Sequence, residues 1–381
     1  MRMVAVRMAA PPSLSVFHGP VPEEDDVRDP AASGRTGRPV RSRADVSSAG
    51  PGETAPGPVE GVPRERDECL PREQDVPLPR EQDVSLPPEQ APSGPTVSGV
   101  CHGTLGELYQ GPLRAGPDPE IAVVSFPVDR HSWVHFTPRA TVGPAPLAPP
   151  LGEKARRAAR LFLDHYGLTL PPGDWHTHSE LPVGVGMASS TADIVATLRC
   201  LFRVFRLPYD LQVVLGVLAA IERADSVFLD EFALYLSGRH RVVRRLGTDI
   251  GFHTAFVTEP GTVDTAAVTP LLLDHYRRRG DEYQRCLTDL VKGFDSGDAA
   301  AVARAATVSA ALSQEVLPKA TFGSLLAHRQ RFGADGVFVA HTGCLAGYLY
   351  TARPRAHVKA DLSAFFHSLG HQCTFAQGGY G

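Results

Sequence analysis

Residues able to do chemistry gather in three stretches of this chain. The first is LPVGVGMASSTAD, Leu181 to Asp193. Gly184 and Gly186 allow tight turning there. Ser189, Ser190 and Thr191 follow where a helix should begin, ahead of the apolar run from Ile194. Such a junction presents unpaired backbone N–H groups and the positive end of a helix, and successive N–H groups in a glycine-bearing turn form a nest for anionic oxygens. Hydroxyls in the same place can add hydrogen bonds or a ligand to magnesium. Composition alone is equally that of a serine-capped glycine turn. The stretch lacks the GxxxxGK[ST] pattern of P-loop proteins and the third glycine of a dinucleotide fingerprint. The second stretch is IERADSVFLDEF. Its Glu222 and Asp225, three apart at the end of an expected helix, can face one cleft. The third is HGTLGELYQG, His102 to Gly111, where glycines around Glu107 allow close backbone approach.

Taken together, these stretches resemble a known family. PVGVGMASSTAD is similar to the second motif of the small-molecule kinases that include galactokinase, homoserine kinase, mevalonate kinase and phosphomevalonate kinase. HGTLGELYQG resembles the N-terminal signature of the same family, and AHTGCLAG (Ala340–Gly347) resembles its third, glycine-bearing motif. GMASSTAD most resembles the L-threonine kinase branch. ERADS matches that branch's EPTDS stretch, with Arg223 and Ala224 in place of proline and threonine. The resemblance spans roughly Val100 to Tyr350.

It implies an α+β, two-lobed kinase with its site between the lobes, using ATP and Mg2+ on a small hydroxy amino acid. The triphosphate would lie on Gly184, Gly186, Met187, Ala188, Ser189 and Ser190. Ser189 or Ser190, together with Glu222, would stand near magnesium, and Asp225 would serve as base or orienting carboxylate for the acceptor hydroxyl. Glu107 would partner a substrate ammonium. Thr191 belongs with the phosphate group or caps the helix. Asp193 either contacts substrate or metal or only complements the helix dipole. The expected reaction is phosphorylation of L-threonine to O-phospho-L-threonine. The alternatives are a kinase for homoserine or another hydroxylated biosynthetic intermediate, and a catalytically degenerate kinase fold used for binding.

The remaining chain must position these residues. Of 381 residues, the first 95 are rich in Pro, Glu, Arg, Asp and Ser and contain an eight-residue repeat, LPREQDVP, LPREQDVS, LPPEQAPS. Prolines at this density oppose helix and sheet, and alternating charge keeps a segment solvated. The expected organisation is a disordered tail over 1–95, an ATP-binding lobe over 96–240 and a second lobe over 241–381.

Strands are expected at Ile121–Val128 and Ser132–Phe136, with Arg130 and His131 in a turn between them, and helices from Glu153 and from Ile194. A further helix from Tyr209, capped by Asp210, is expected to run through Asp225. More helices should follow residue 270, and strands at Val337–His341 and near the C-terminal end. A net charge of −4 gives no nucleic-acid footprint. Six cysteines with no CxxC pattern favour reduced thiols over a disulfide framework or structural zinc. No apolar run reaches membrane-spanning length, so a cytoplasmic location is expected, with no membrane partner. His176 and His178, on one face of a predicted strand, have no third metal ligand at suitable spacing.

Overall fold

The computed structural model describes residues 94–114, 119–140, 151–263 and 265–381. The expected tail, up to residue 93, and the proline-rich loop from Thr141 lie outside the described residues. In chain order the elements are β1 (Val97–Arg114), β2 (Pro119–Pro138), α1 (Glu153–Tyr166), β3 (Gly173–Ser179), α2 (Ser189–Val204), α3 (Leu211–Ala219), β4 (Phe232–Leu236), β5 (Arg241–Gly247) and β6 (Gly251–Thr258). They continue with α4 (Thr265–Arg278), α5 (Gly280–Asp295), α6 (Ala299–Ser313), α7 (Phe322–His328), β7 (Gly336–Val339), β8 (Leu345–Tyr350), α8 (Ala356–Ser368) and β9 (Thr374–Gly379).

Nine antiparallel strands make one sheet. Its order β1–β7–β8–β6–β9–β2 returns to β1 through the long β1–β2 pairing, so six strands close on themselves. β3 and β4 extend from β2, and β5 continues from β4. Closure leaves those six strands without the free edge that an open sheet must protect. Large apolar side chains account for its packing: Tyr109, Phe126, Phe136, Phe228 and Phe338 are fully buried in the main core, each contributing about 2 kcal/mol by burial. A second cluster beneath α7 and α8 joins Phe322, Leu325, Val337, Tyr348, Leu362 and Phe366.

Three expectations need correction. Residues 121–136 are one strand, not two. β2 runs through Asp129 and Arg130 as a bulge, because Gly103 lies opposite Val128 while His102 lies opposite His131. Two extra residues on one strand kink it without ending it, and neither Gly nor Asn stands there to make a hairpin turn.

The second correction concerns α3, which begins as expected with Asp210 accepting from the N–H groups of Gln212 and Val213 but stops at Ala219. Its buried positions, Val213, Val214, Val217 and Leu218, end there, and Ile221 and Glu222 both donate to the Leu218 carbonyl. Glu222 and Asp225 are therefore loop residues. Their side chains bind other elements instead of lining a helix face.

The third is β5, absent from the sequence reading. It is an edge strand whose arginines hide the alternation expected of a strand.

Candidate active site

Residues 184–188 alternate into the left-handed region, with φ of 82° at Gly184, 95° at Gly186 and 55° at Ala188. Only glycine adopts that region freely. The carbonyls of this turn point into the protein. Met187 O accepts from Thr104 N at 3.1 Å, Gly186 O from Gly106 N at 3.1 Å, and Val185 O from Cys344 N at 2.9 Å. The main-chain N–H groups of Gly184 through Thr191 have no acceptor among the described residues. With the N-terminus of α2 immediately following, the geometry is that of an anion nest.

The glycines of the other two motifs explain how the turn is held. A Cβ on Gly103 would stand 2.7 Å from Met187 O, and one on Gly106 2.4 Å from Ala340 Cα. Gly186 and Gly343 would likewise collide, a Cβ on the latter meeting Gly186 Cα at 2.6 Å. The first and third motifs thus form a close-fitting bed for the second.

Of the residues expected there, Met187 is buried and offers its main chain only. Ala188, not Thr191, occupies the N-cap position, and no side chain caps α2. Thr191 is buried, and its hydroxyl donates to Glu222 Oε1 at 2.8 Å. Ser190 Oγ donates to Glu222 Oε2 at 3.0 Å, and Lys154 from α1 forms an ion pair with the same oxygen. Ser189 is buried. Asp193 stands apart, held by a 2.5 Å hydrogen bond from Ser132 on β2. Burial raises its proton affinity, against the opposing effect of that hydrogen bond.

A second group forms where β1, β2 and β7 meet. Glu107 lies opposite Ser125 on β2 and Val339 on β7, at a bulge of β1 that follows the positive φ of Gly106. Its Oε2 accepts from His341 N at 2.9 Å and His341 Nδ1 at 3.1 Å, while His341 Nε2 meets Ser309 Oγ at 2.9 Å. Buried His341 therefore orients Glu107 rather than reaching a ligand. Asp225 Oδ1 accepts from Ser125 Oγ at 3.2 Å, and Oδ2 has no partner among the described residues. Burial first, then the Glu107 charge, pushes the Asp225 carboxyl up to about 7. Arg223, bonded to Ser237 and Thr269, opposes this more weakly.

The two groups are contiguous. Gly106, next to Glu107, donates to the anion turn, and Asp225 feels the Glu222 charge. Other polar residues of the motifs lie elsewhere. His102 binds the carbonyls of Gly103 and Leu229 and the Tyr380 hydroxyl, and buried Gln110 donates to Tyr276. His176 and His178 are exposed, and no metal-binding group of His, Cys, Asp or Glu occurs among the described residues. Burial pushes the thiols of Cys101, Cys200 and Cys286 up to about 12, so they are inert. No helix among the described residues is long and apolar enough to cross a membrane.

Sequence reasoning missed Lys154, Ser125 and Lys319. A signal existed for the two lysines. The chain has only four lysines, within a Lys plus Arg total of 38, though rarity alone marks Lys292 and Lys359 equally.

Residues 153–238 match the family model described as the N-terminal domain of GHMP kinases. An L-threonine kinase of Citrobacter freundii is 27% identical over 269 residues, covering 65% of this chain and 84% of that protein. Among solved structures, homoserine kinase from Cytophaga hutchinsonii superimposes with a TM-score of 0.57 at 13% identity, over 75% of this chain and 95% of that one. Mevalonate kinase from L. major, in complex with R-mevalonate, gives 0.55 at 14% identity, over 76% and 98%. The closed α+β sheet flanked by helices is the two-lobed architecture of these neighbours. Three motifs thus converge in order on one glycine turn, and the second of them lies within the segment that matches the N-terminal domain of GHMP kinases.

Proposed function

We propose that the protein transfers the γ-phosphoryl group of ATP to the side-chain hydroxyl of a small hydroxy amino acid, foremost L-threonine, giving O-phospho-L-threonine and ADP. One observation carries the chemistry. Asp225 presents an unpaired oxygen and a raised proton affinity beside a turn of unpaired N–H groups. A base works best with a pKa near the operating pH. Phosphoryl transfer asks for little beyond positioning and charge stabilisation.

In this reading the N–H groups of residues 184–190 hold the nucleotide phosphates. The acceptor oxygen attacks the γ-phosphorus as the bond to the ADP oxygen breaks, and the hydroxyl proton passes to Asp225 Oδ2. Ser190 and Glu222 suit a magnesium ion. Their oxygens are 3.0 Å apart, and Glu222 already accepts a cation in Lys154. Ser190, more exposed than Ser189, is the better ligand. Bound magnesium would neutralise developing phosphate charge. Glu107 Oε1, with no described partner, is left for the substrate ammonium. Residues 96–240 would form the ATP-binding lobe and 241–381 the second, supplying His341.

L-threonine as acceptor is supported by the similarity to the Citrobacter enzyme and by GMASSTAD. The test is ADP release from Mg·ATP with L-threonine, L-serine, L-homoserine, mevalonate and galactose, with phosphorus NMR of the product. Threonine-stimulated release with O-phosphothreonine formed is expected. Stimulation by mevalonate or galactose alone would overturn the amino-acid reading.

A further inference from the structure

Lys319 follows α6 in the segment that leads to α7, and the residue is only 8% exposed. Its ammonium makes no hydrogen bond or ion pair with any described residue. The groups whose charge it feels are Cys344, Glu259 and Glu107. Two of these belong to the site. Cys344 donates its N–H to the anion turn at Val185 O, and Glu107 lies beside Asp225. Glu259 is already committed: its carboxylate accepts from Ala320 N at 3.1 Å, Thr321 N at 2.8 Å and Thr321 Oγ1 at 2.7 Å. Those bonds, with Lys319 N on Gln314 Oε1 at 2.7 Å, fix the backbone on both sides of the lysine. An ammonium on a largely buried residue with no protein partner is costly unless a partner arrives.

We propose that Lys319 binds the carboxylate of the acceptor, while Glu107 binds its ammonium. Glu259, which anchors the residues after the lysine, also donates its N–H to the Cys344 carbonyl at 2.8 Å, next to the turn. Lys319 and Glu107 supply one cation and one anion, matched to the two charges of a free amino acid. The nucleotide phosphates have the N–H groups of the turn and need no lysine. The inference rests on the acceptor being a hydroxy amino acid and adds the residue that selects for its free carboxylate. Burial also lowers the lysine's proton affinity in the empty site, and an arriving carboxylate would restore it.

The test compares full-length wild type with Lys319→Met. L-threonine and L-threoninol, in which hydroxymethyl replaces the carboxylate, are titrated calorimetrically into each in the presence of ADP and magnesium. Kinetics with varied ATP and thermal melts complete the comparison. Wild type should prefer threonine to threoninol by about thirtyfold or more, as expected when one partner of a buried charge pair is lost. The variant should lose that preference, keep its KM for ATP and melt no lower than wild type.

Equal weakening of both ligands would overturn the proposal. So would a raised KM for ATP with threonine binding intact, which would assign the lysine to phosphate, or a large fall in melting temperature, which would make it structural. Failure of the amino-acid reading itself looks different. Wild type would then ignore both ligands and turn over an acceptor that has no amino group, such as mevalonate or galactose.

Discussion

Glu222 and Asp225 are three residues apart in one loop, and their surroundings are opposite. Glu222 has three donors, Ser190, Thr191 and Lys154. Asp225 has one, Ser125, and faces a second carboxylate in Glu107. A carboxylate rich in donors and next to a cation already holds a cation and can exchange it for another. A buried carboxylate short of donors binds a proton more readily. On the proposed reading the same functional group would hold metal in one place and take a proton in the other, by surroundings alone.

The sharpest way to break this contrast is Asp225→Asn, which should lower kcat by about 10²–10⁴-fold while leaving the melting temperature at pH 8 equal or higher. The sign follows from linkage. The folded state holds the Asp225 proton more tightly than the unfolded chain, so this group costs stability increasingly from about pH 4 to its folded value of about 7, and Asn removes that cost. A variant both inactive and much less stable would make Asp225 a structural residue. Glu107→Gln comes next, with the acceptor KM rising about tenfold to hundredfold and the KM for ATP unchanged. A loss confined to kcat would move Glu107 from binding into the chemistry.

Ser190→Ala should raise the magnesium requirement about tenfold, and Ser189→Ala much less. The reverse order would exchange their roles. The pH profile tests Asp225 a second way, without a mutation. kcat/KM should climb with unit slope below about pH 7, where Asp225 is protonated, and level above it. A flat profile from pH 5 to 8 would remove Asp225 as the base.

The turn over 184–188 was legible because its geometry is a main-chain property, and main chain is written locally by glycines and a helix start. Asp210 as N-cap, and the helices from Glu153 and over 189–204, were readable for the same reason. The acid group was less so. Glu107 and Asp225 could be named by resemblance, but their difference from Glu222 depends on Ser125, Lys154 and His341, which the fold brings from far along the chain. Periodicity sees only an element's own face, and for that reason it carried α3 past Ala219, where the side chains turn to other elements. The bulge at Asp129–Arg130 escaped because it is set by β1, not by β2.

The closed sheet has a consequence for how the enzyme is made. β2 meets β9, which lies far along the chain from it, at Val128 and Gly378, and Tyr380 reaches back to His102. Contacts between such distant segments carry a large loop-closure cost and form slowly. While the chain is still being translated, the strand bearing Glu107 must wait with its ring open until residues 374–379 have left the ribosome. Activity should therefore switch on once residues 374–379 are in place rather than build up along the chain, and a ribosome stalled inside α8 should carry an inactive kinase.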